Sequence, residues 1–374
     1  MIYLDNASTT RPSEYAVKAA AETFTEFGNP SSLHNLGLSA EKIINKSRQS
    51  ISSVFGGDAK NIIFTSGGTE ANNTAVFGAA QALKRRGRHI ITTQIEHPSV
   101  YEPFSFLENN GFEVSYISAG ADGRIDLSEF ENTLRPDTIL VSCMHVNNET
   151  GVIQPVDKLK SLMKTKSPNA LLHVDAVQSF CKIPIKQKAW GIDLMTISGH
   201  KIGALKGIGA LYADKANIRP HIIGGGQQKN MRSGTENVTG IASFGAAAEH
   251  YSIGECAQVR KYLKEQIEKN IDKVTFNGDN EFNGGYILNV SFEGIKAEVL
   301  LHALERHGIY ISTGSACSSN KPSPSRTLTA MGVSKKNIDG AVRFSLCSDI
   351  TYEDIDKCME KLIYEVGQIR KYVR

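Results

Sequence analysis

Asp193-Leu194-Met195-Thr196-Ile197-Ser198-Gly199-His200-Lys201 reads as a short apolar strand that runs into a glycine-containing turn and delivers a lysine at its end. A lysine held beside a buried strand loses hydration, so its neutral amine becomes accessible and can condense with an aldehyde. Taken alone, the stretch also describes an ordinary surface lysine in a turn. Its neighbours along the chain have to decide between the two.

Outward from this strand, the segment between about residue 14 and residue 250 alternates helical spacing with short β-branched runs, the pattern of an α/β fold with a mainly parallel sheet. Helical spacing covers Glu14 to Phe27, Ser39 to Phe55 and Thr69 to Arg85, and another helix follows Pro98. Strands are expected at Asn61 to Thr65, His89 to Thr93, Phe112 to Ser118, Thr138 to Met144, Leu171 to Val174, Leu194 to Ile197 and Gly209 to Tyr212. Seven strands suit one large sheet. A glycine-rich loop, Gly224-Gly225-Gly226 and then Arg232-Ser233-Gly234-Thr235, leads into an alanine-rich helix beginning near Thr239. Past residue 255 the order changes to a polar helix, a strand Tyr286 to Ser291, a helix Ala297 to His307 and a strand Ile309 to Ser312. A Ser/Pro-rich loop, a strand Val342 to Leu346 and a final helix Tyr352 to Ile369 complete the chain. The expected organisation is a large domain over 14–250 and a smaller α+β domain made of 1–13 and 251–374.

With 374 residues the chain can bury a substantial core, and 40% hydrophobic with 22% charged residues is an ordinary soluble composition. The 42 basic and 39 acidic residues are mixed along the chain, which argues against a nucleic-acid surface. The one tight basic cluster, Lys84-Arg85-Arg86-Gly87-Arg88, ends a helix, where cations suit the dipole. No run approaches membrane-spanning length and the N-terminus has no signal pattern, so a cytoplasmic location is expected. Six cysteines lie far apart without a Cys-x-x-Cys pair, which speaks against structural zinc and against a disulfide framework.

Several polar groups sit just beyond strand ends. Thr65-Ser66-Gly67-Gly68-Thr69-Glu70 offers small residues at a helix start, where backbone amides can hold a phosphate; a helix capped by Thr69 or Ser66 describes it equally well. Asp175, after Leu171-Leu172-His173-Val174, can keep a pyridine nitrogen protonated, or cap a helix, and Gln178 lies one turn on. His97 in Glu96-His97-Pro98-Ser99 can stack on a flat ring or move protons, and Asn147-Asn148 carry amides able to meet a phenolic oxygen. Arg343 alternates with apolar neighbours on a strand and offers a two-donor fork for a carboxylate. Cys317 differs from the other cysteines in lying within a loop of small and polar residues, Ser312 to Pro324, whose composition predicts exposure and mobility. It is the candidate nucleophile.

With these pieces in place the chain resembles the cysteine desulfurases of the class V, fold-type I pyridoxal phosphate enzymes, the NifS/IscS-like group. The resemblance runs nearly end to end and is most specific at Ser198-Gly199-His200-Lys201, Met231-Arg232-Ser233-Gly234-Thr235 and Gly314-Ser315-Ala316-Cys317. It implies that Lys201 carries the cofactor and Asp175 pairs with its ring nitrogen. Asn148 and Gln178 contact the ring oxygen, and His97 stacks on the ring and transfers protons. Gly68, Thr69, Ser198 and His200 hold the phosphate, with Thr235 reaching it from the other subunit of a homodimer. Arg343 and Asn29 hold the carboxylate of L-cysteine. The implied activity converts L-cysteine to L-alanine and leaves the sulfur on Cys317 as a persulfide. A protein acceptor then takes it, either an iron–sulfur scaffold or a tRNA-thiolating enzyme. A selenocysteine lyase or another class V enzyme that transfers an amino group is the alternative, and a non-catalytic scaffold is a rival from another class. The chain departs from the group at Ala204-Leu205 before Lys206-Gly207 and at Lys229-Asn230 before Met231, where Arg-Gly is common.

Overall fold

A computed structural model describes residues 1–214, 216–313 and 324–372. The chain opens with a two-residue strand, β1 (Ile2–Tyr3), followed by helices α1 (Glu14–Glu22) and α2 (Asn35–Ser53). A seven-stranded sheet then forms from β2 (Ile62–Thr65), β3 (His89–Thr93), β4 (Glu113–Ile117), β5 (Thr138–Met144), β6 (Leu171–Asp175), β7 (Leu194–Ser198) and β8 (Gly209–Ala213). These are the seven strands expected from the sequence. Their spatial order is β2-β8-β7-β6-β5-β3-β4, and β8 runs antiparallel to both its neighbours while the other pairings are parallel. β3 and β5 are buried along their whole length, as strands covered on both faces must be. Their few polar side chains pair across strands: His89 Nδ1 meets Thr138 Oγ1 at 2.7 Å, and His173 Nδ1 meets Ser142 Oγ at 2.8 Å.

Helices α3 (Gly68–Leu83) and α4 (Pro98–Glu108) cover the sheet. α3 buries Ala71, Ala75, Val76 and Ala79, small residues that let the helix approach the strands. Helix Val238–His250 packs instead on α1 and α2, where Thr23 Oγ1 and Thr239 Oγ1 lie 2.7 Å apart. Helices at Leu127–Thr133 and Val156–Lys166 go beyond the sequence expectation. Among the described residues, no helix is long and apolar enough to cross a membrane.

A second, antiparallel sheet has the order β12-β13-β10-β9, from β9 (Val274–Asn277), β10 (Ile287–Phe292), β12 (Ser312–Thr313) and β13 (Ala341–Ser345). The stretch expected as one strand from Ile309 to Ser312 is two. β11 (Ile309–Tyr310) pairs in parallel with β1, whereas β12 joins β13. The chain changes sheets at buried Ile311. Helices Cys256–Asn270, Ala297–Glu305 and Tyr352–Tyr372 contribute to this sheet's core, which also contains Ile2, Leu4 and Ala7.

Between β8 and helix Val238–His250, three successive residues, Gln228, Lys229 and Asn230, have φ of 46°, 59° and 63°. Side chains rarely tolerate such left-handed backbone, and asparagine does so better than most. A buried amide holds the turn: Gln228 Oε1 accepts from Phe64 N and from Arg48 Nη2, each at 3.0 Å. At position 230, where the resembled group commonly has glycine, asparagine is thus a tolerable replacement. We expect Asn230→Val to lower unfolding free energy by about 1–2 kcal/mol, and Asn230→Gly to leave it equal or higher. Urea unfolding of both variants measures this; an unchanged midpoint for the valine variant would show that the turn relaxes at no cost.

Candidate active site

The parallel strands point their carboxyl ends at one cavity of roughly 350 Å³. It brings together Gly68, Thr69, His97, Asn148, Asp175, Gln178, Ser198, His200, Lys201 and Arg343. Asp175 is the last residue of β6, Ser198 the last of β7, and Lys201 ends the short helical turn Gly199–Lys201 that follows. His97 caps α4, and Gly68 and Thr69 open α3.

At one end lies an anion cradle. α3 is capped by Gly67 with no side-chain hydrogen bond, so neither Thr69 nor Ser66 caps it and the first-turn amides are left for a ligand. A Cβ on Gly68 would come within 2.9 Å of Val177 Cγ2, so no larger residue fits without rearrangement. Ser198 Oγ is buried without a partner. His200 Nδ1 lies 3.1 Å from Thr9 Oγ1, and burial, followed by the charges of Lys201, Lys206 and Lys182, lowers this imidazole to about 4. His200 is therefore neutral at physiological pH. Positive charge in this groove comes from exposed Lys206 on its wall, a residue that was not singled out from the sequence.

At the other end Asp175 is fixed from two sides. Its Oδ1 accepts from Val177 N at 2.9 Å and its Oδ2 from Asn72 Nδ2 at 2.8 Å. Asn72, fully buried on α3, also donates to Ser99 Oγ at 2.8 Å, and Ser99 Oγ lies 2.7 Å from His97 Nδ1. One hydrogen-bonded chain thus runs from the carboxylate to the imidazole. Because His97 Nδ1 accepts from Ser99 N at 3.1 Å, the ring proton belongs on Nε2. Burial lowers the His97 pKa; Asp175 opposes the shift and Lys201 adds to it. Asn72 went unnoticed in the sequence, where the available signal was a polar residue on the alanine-lined face of α3.

The N-terminal strap closes the cavity. Lys201 Nζ donates to Ala7 O and Ser8 O at 2.7 Å each. Gln178 Nε2 donates to Ala7 O at 2.9 Å, while Gln178 Oε1 is buried and has no partner. Arg343 donates from Nη1 to Asn148 O at 2.9 Å and from Nη2 to Asp5 Oδ1 at 2.8 Å. Pyridoxal phosphate fits these residues. The open amides and the orphaned Ser198 hydroxyl suit a phosphate, the fixed Asp175 suits a ring nitrogen, the orphaned Gln178 oxygen awaits a donor, and Lys201 supplies an amine.

Not every expected residue enters the cavity. Asn29 is exposed outside it, its Oδ1 accepting from Ser31 N at 2.9 Å, and Thr235 is likewise exposed and absent from the wall. Cys317 lies outside the described residues. Cys143, Cys256 and Cys358 are buried and Cys181 and Cys347 half-buried, and burial raises every one of these thiols above its ordinary pKa. None of the five is a thiolate at neutral pH.

A further buried group sits behind His97. The ladder between β3 and β5 stops at Ile91 and Val141, and the strands part. Glu96 fills the gap, its Oε1 accepting from Thr93 Oγ1 at 2.8 Å and from Met144 N at 2.9 Å. Burial is the main reason its carboxyl is pushed up to about 8, so it is protonated at neutral pH.

Residues 2–358 match the aminotransferase class-V family. A protein named cysteine desulfurase IscS from Dictyoglomus turgidum is 40% identical, over 99% of this chain and 96% of that protein. Among solved structures, one described as a NifS-like protein superposes with a TM-score of 0.90 at 34% identity, covering 99% of this chain and 98% of the other. Another, described as SspA in complex with cysteine, gives 0.84 at 33% identity over 93% and 99%.

Glu96 yields a test of stability against pH. Its folded pKa is raised, so between the unfolded value near 4.5 and the folded value of about 8 the native state holds a proton that the unfolded chain has released. Its contribution is complete below the unfolded pKa and declines as pH rises through that window, by on the order of a few kcal/mol. Glu96→Gln, which keeps the shape and cannot ionise, is expected to flatten this decline and to be the more stable protein at pH 8. Melting temperatures of both proteins from pH 5 to pH 8 check it; parallel curves would mean that Glu96 ionises in the fold.

Proposed function

We infer the activity of this chain from one premise: it belongs to the class V aminotransferase family and, within it, to the cysteine desulfurases. It is a pyridoxal phosphate enzyme that converts L-cysteine to L-alanine and passes the sulfur on. The observation that carries this reading is the convergence, in one cavity, of an amine, a carboxylate of fixed orientation, a neutral imidazole and a buried guanidinium.

Pyridoxal phosphate, when bound, supplies a carbonyl that captures amines and a ring that draws electrons from the bonds around the substrate's Cα. The residues of this chain do the rest. Amides at the start of α3, with Thr69, Ser198 and His200, would hold the phosphate, and Asp175 would keep the ring nitrogen protonated. Gln178 and Asn148 orient the ring through its oxygen. Lys201 would anchor and release the cofactor. His97, with its proton on Nε2, would stack on the ring and relay protons. Arg343 receives the substrate carboxylate; a direct role for Asn29 requires movement of its exposed segment.

Sulfur transfer falls to Cys317. Its thiolate attacks the substrate sulfur, a sulfur–sulfur bond forms as the Cβ–sulfur bond breaks, and the electron pair stays with the carbon skeleton that becomes L-alanine after protonation. The resulting persulfide is handed to a protein acceptor, an iron–sulfur scaffold or a tRNA-thiolating enzyme. Selenocysteine lyase activity is the less favoured reading, because it needs no thiol at position 317.

We propose that the enzyme works as a homodimer. Thr235 is exposed and stands outside its own cavity, and Phe24, Phe27 and Leu33 are 73%, 79% and 94% exposed, more apolar surface than a monomer needs to show. The division into a domain of residues 14–250 and a domain of 1–13 with 251–374 is supported by how the apolar clusters fall. Two are drawn from residues 16–248, and the other two from 2–7, Val146 and 256–366.

Cys317→Ser is expected to keep the cofactor's absorbance and to abolish sulfide release from L-cysteine; undiminished turnover would sink the persulfide route. Asn72→Ala removes a hydrogen bond to a charged group, and cofactor affinity should fall about tenfold. Equilibrium dialysis of pyridoxal phosphate measures it, and unchanged affinity would mean that Asp175 needs no support from α3.

A further inference from the structure

Arg343 is the residue to which the proposed function assigns the substrate carboxylate, and the role inferred for its neighbour Asp5 rests on that reading. The Arg343 side chain is 5% exposed, and its donors are largely spoken for. Nη2 donates to Asp5 Oδ1 at 2.8 Å and to Ser8 Oγ at 2.7 Å, and Nη1 donates to Asn148 O at 2.9 Å. Nε is buried and has no partner. A guanidinium can meet both oxygens of a carboxylate along two edges, Nη1 with Nη2 or Nε with Nη2. Each edge requires a hydrogen on Nη2, and both of those hydrogens are engaged.

The engagement is a built arrangement. Ser8 Oγ donates to the same Asp5 Oδ1 at 2.8 Å, which closes a ring of three groups around Nη2. Asp5 is bridged to Ser345, two residues beyond Arg343 on β13, and its main-chain oxygen accepts from Ser8 N at 3.1 Å. The Asp5 side chain is nevertheless 21% exposed, so it has water to turn to if it lets go.

We propose that Asp5 is a resident carboxylate on Arg343 which the substrate's carboxylate displaces, making Asp5 and Ser8 the residues that set the strength and selectivity of amino-acid capture. The incoming carboxylate gains a two-pronged bond only as an Nη2 hydrogen is released, and Asp5 is the partner whose charge the substrate replaces. Binding therefore reflects the difference between two ion pairs and not the full worth of one. The same exchange works in reverse: Asp5 returns to Nη2 as L-alanine leaves, so the buried guanidinium is never without a counter-charge. An α-carboxylate is selected because a ligand without one has nothing to exchange for Asp5.

Asp5→Asn in the holoenzyme tests this, with L-cysteine compared against cysteamine, which has the same amine and thiol and no carboxylate. Weakening the resident partner should lower KM for L-cysteine about three- to tenfold, the range expected for a partly exposed charged hydrogen bond, while cysteamine binding changes less than about twofold. Calorimetric titration with L-alanine should show tightening by a similar factor. Ser8→Ala, which frees the other Nη2 hydrogen without altering charge, should act in the same direction to a smaller extent. A higher KM for L-cysteine in Asp5→Asn, or equal changes for both ligands, would overturn the proposal. Melting with and without L-alanine separates a folding defect from the effect sought: the ligand-induced rise in Tm is larger in Asp5→Asn than in wild type if the two carboxylates compete, and an equal or smaller rise counts against it. Failure of the wild-type protein to make L-alanine from L-cysteine would defeat the activity reading, and the calorimetric and melting arms would still decide the role of Asp5.

Discussion

The cavity depends on a strap of six residues, Asp5 to Thr10, that no regular ladder holds in place. Its carbonyls at Ala7 and Ser8 receive the Lys201 amine, its Thr10 hydroxyl donates to His200 O at 2.7 Å, and Ala7 O takes the Gln178 amide. The strap is fastened in turn to the second sheet, where Ala7 N donates to Ser345 Oγ at 2.8 Å and Asn6 Nδ2 to Ser345 O at 3.0 Å. The strap thereby ties the residues of the cavity at the end of the large sheet to β13 of the second sheet. Burial of these main-chain groups is tolerable because they are paired: Ala7 N, Ala7 O and Ser8 O meet side chains from elsewhere in the chain, while Asn6 N and Thr10 N donate to the main-chain oxygens of Ser345 and His200.

Electrostatics inside the cavity are arranged by subtraction. His97 and His200, which line it, both have lowered pKa values, and burial is the leading cause each time. Glu96, close to Asp175, is kept protonated. With these groups neutral, the ligand meets Asp175, Lys201 and Arg343 on the cavity wall and Lys206 at the phosphate groove. The chain from Asp175 through Asn72 and Ser99 to His97 then fixes the orientation of the two side chains assigned to the cofactor ring.

The large sheet was legible in the sequence because its strands, apart from the edge strand β4, are buried and read as largely apolar, β-branched runs between helical stretches. Val274–Asn277 was not: it is half exposed, on the edge of the smaller sheet, and its residues carry no such run. The split at Ile311 was hidden for a different reason, since one apolar run served two sheets. Lys201, Asp175, His97 and the Gly68 cradle were readable from residue type just beyond a strand. Asn72, Glu96, Asp5 and Ser8 were not, because their importance lies in hydrogen bonds to residues from 48 to 338 positions away.

The same strap has a consequence for synthesis. Residues 5–10 leave the ribosome long before Ser345, yet the hydroxyl and carbonyl that fasten them belong to that serine. At elongation rates of about 5–20 residues per second, roughly 20–70 seconds separate the two ends of this joint. Late in that interval the nascent chain already contains Lys201, Asp175 and the phosphate cradle, and the strap has its partners at Gln178 and His200 but not yet those at Ser345. A chain terminated before Ser345 carries Lys201, Asp175 and the Gly68 cradle without the joint that fastens the strap to the second sheet.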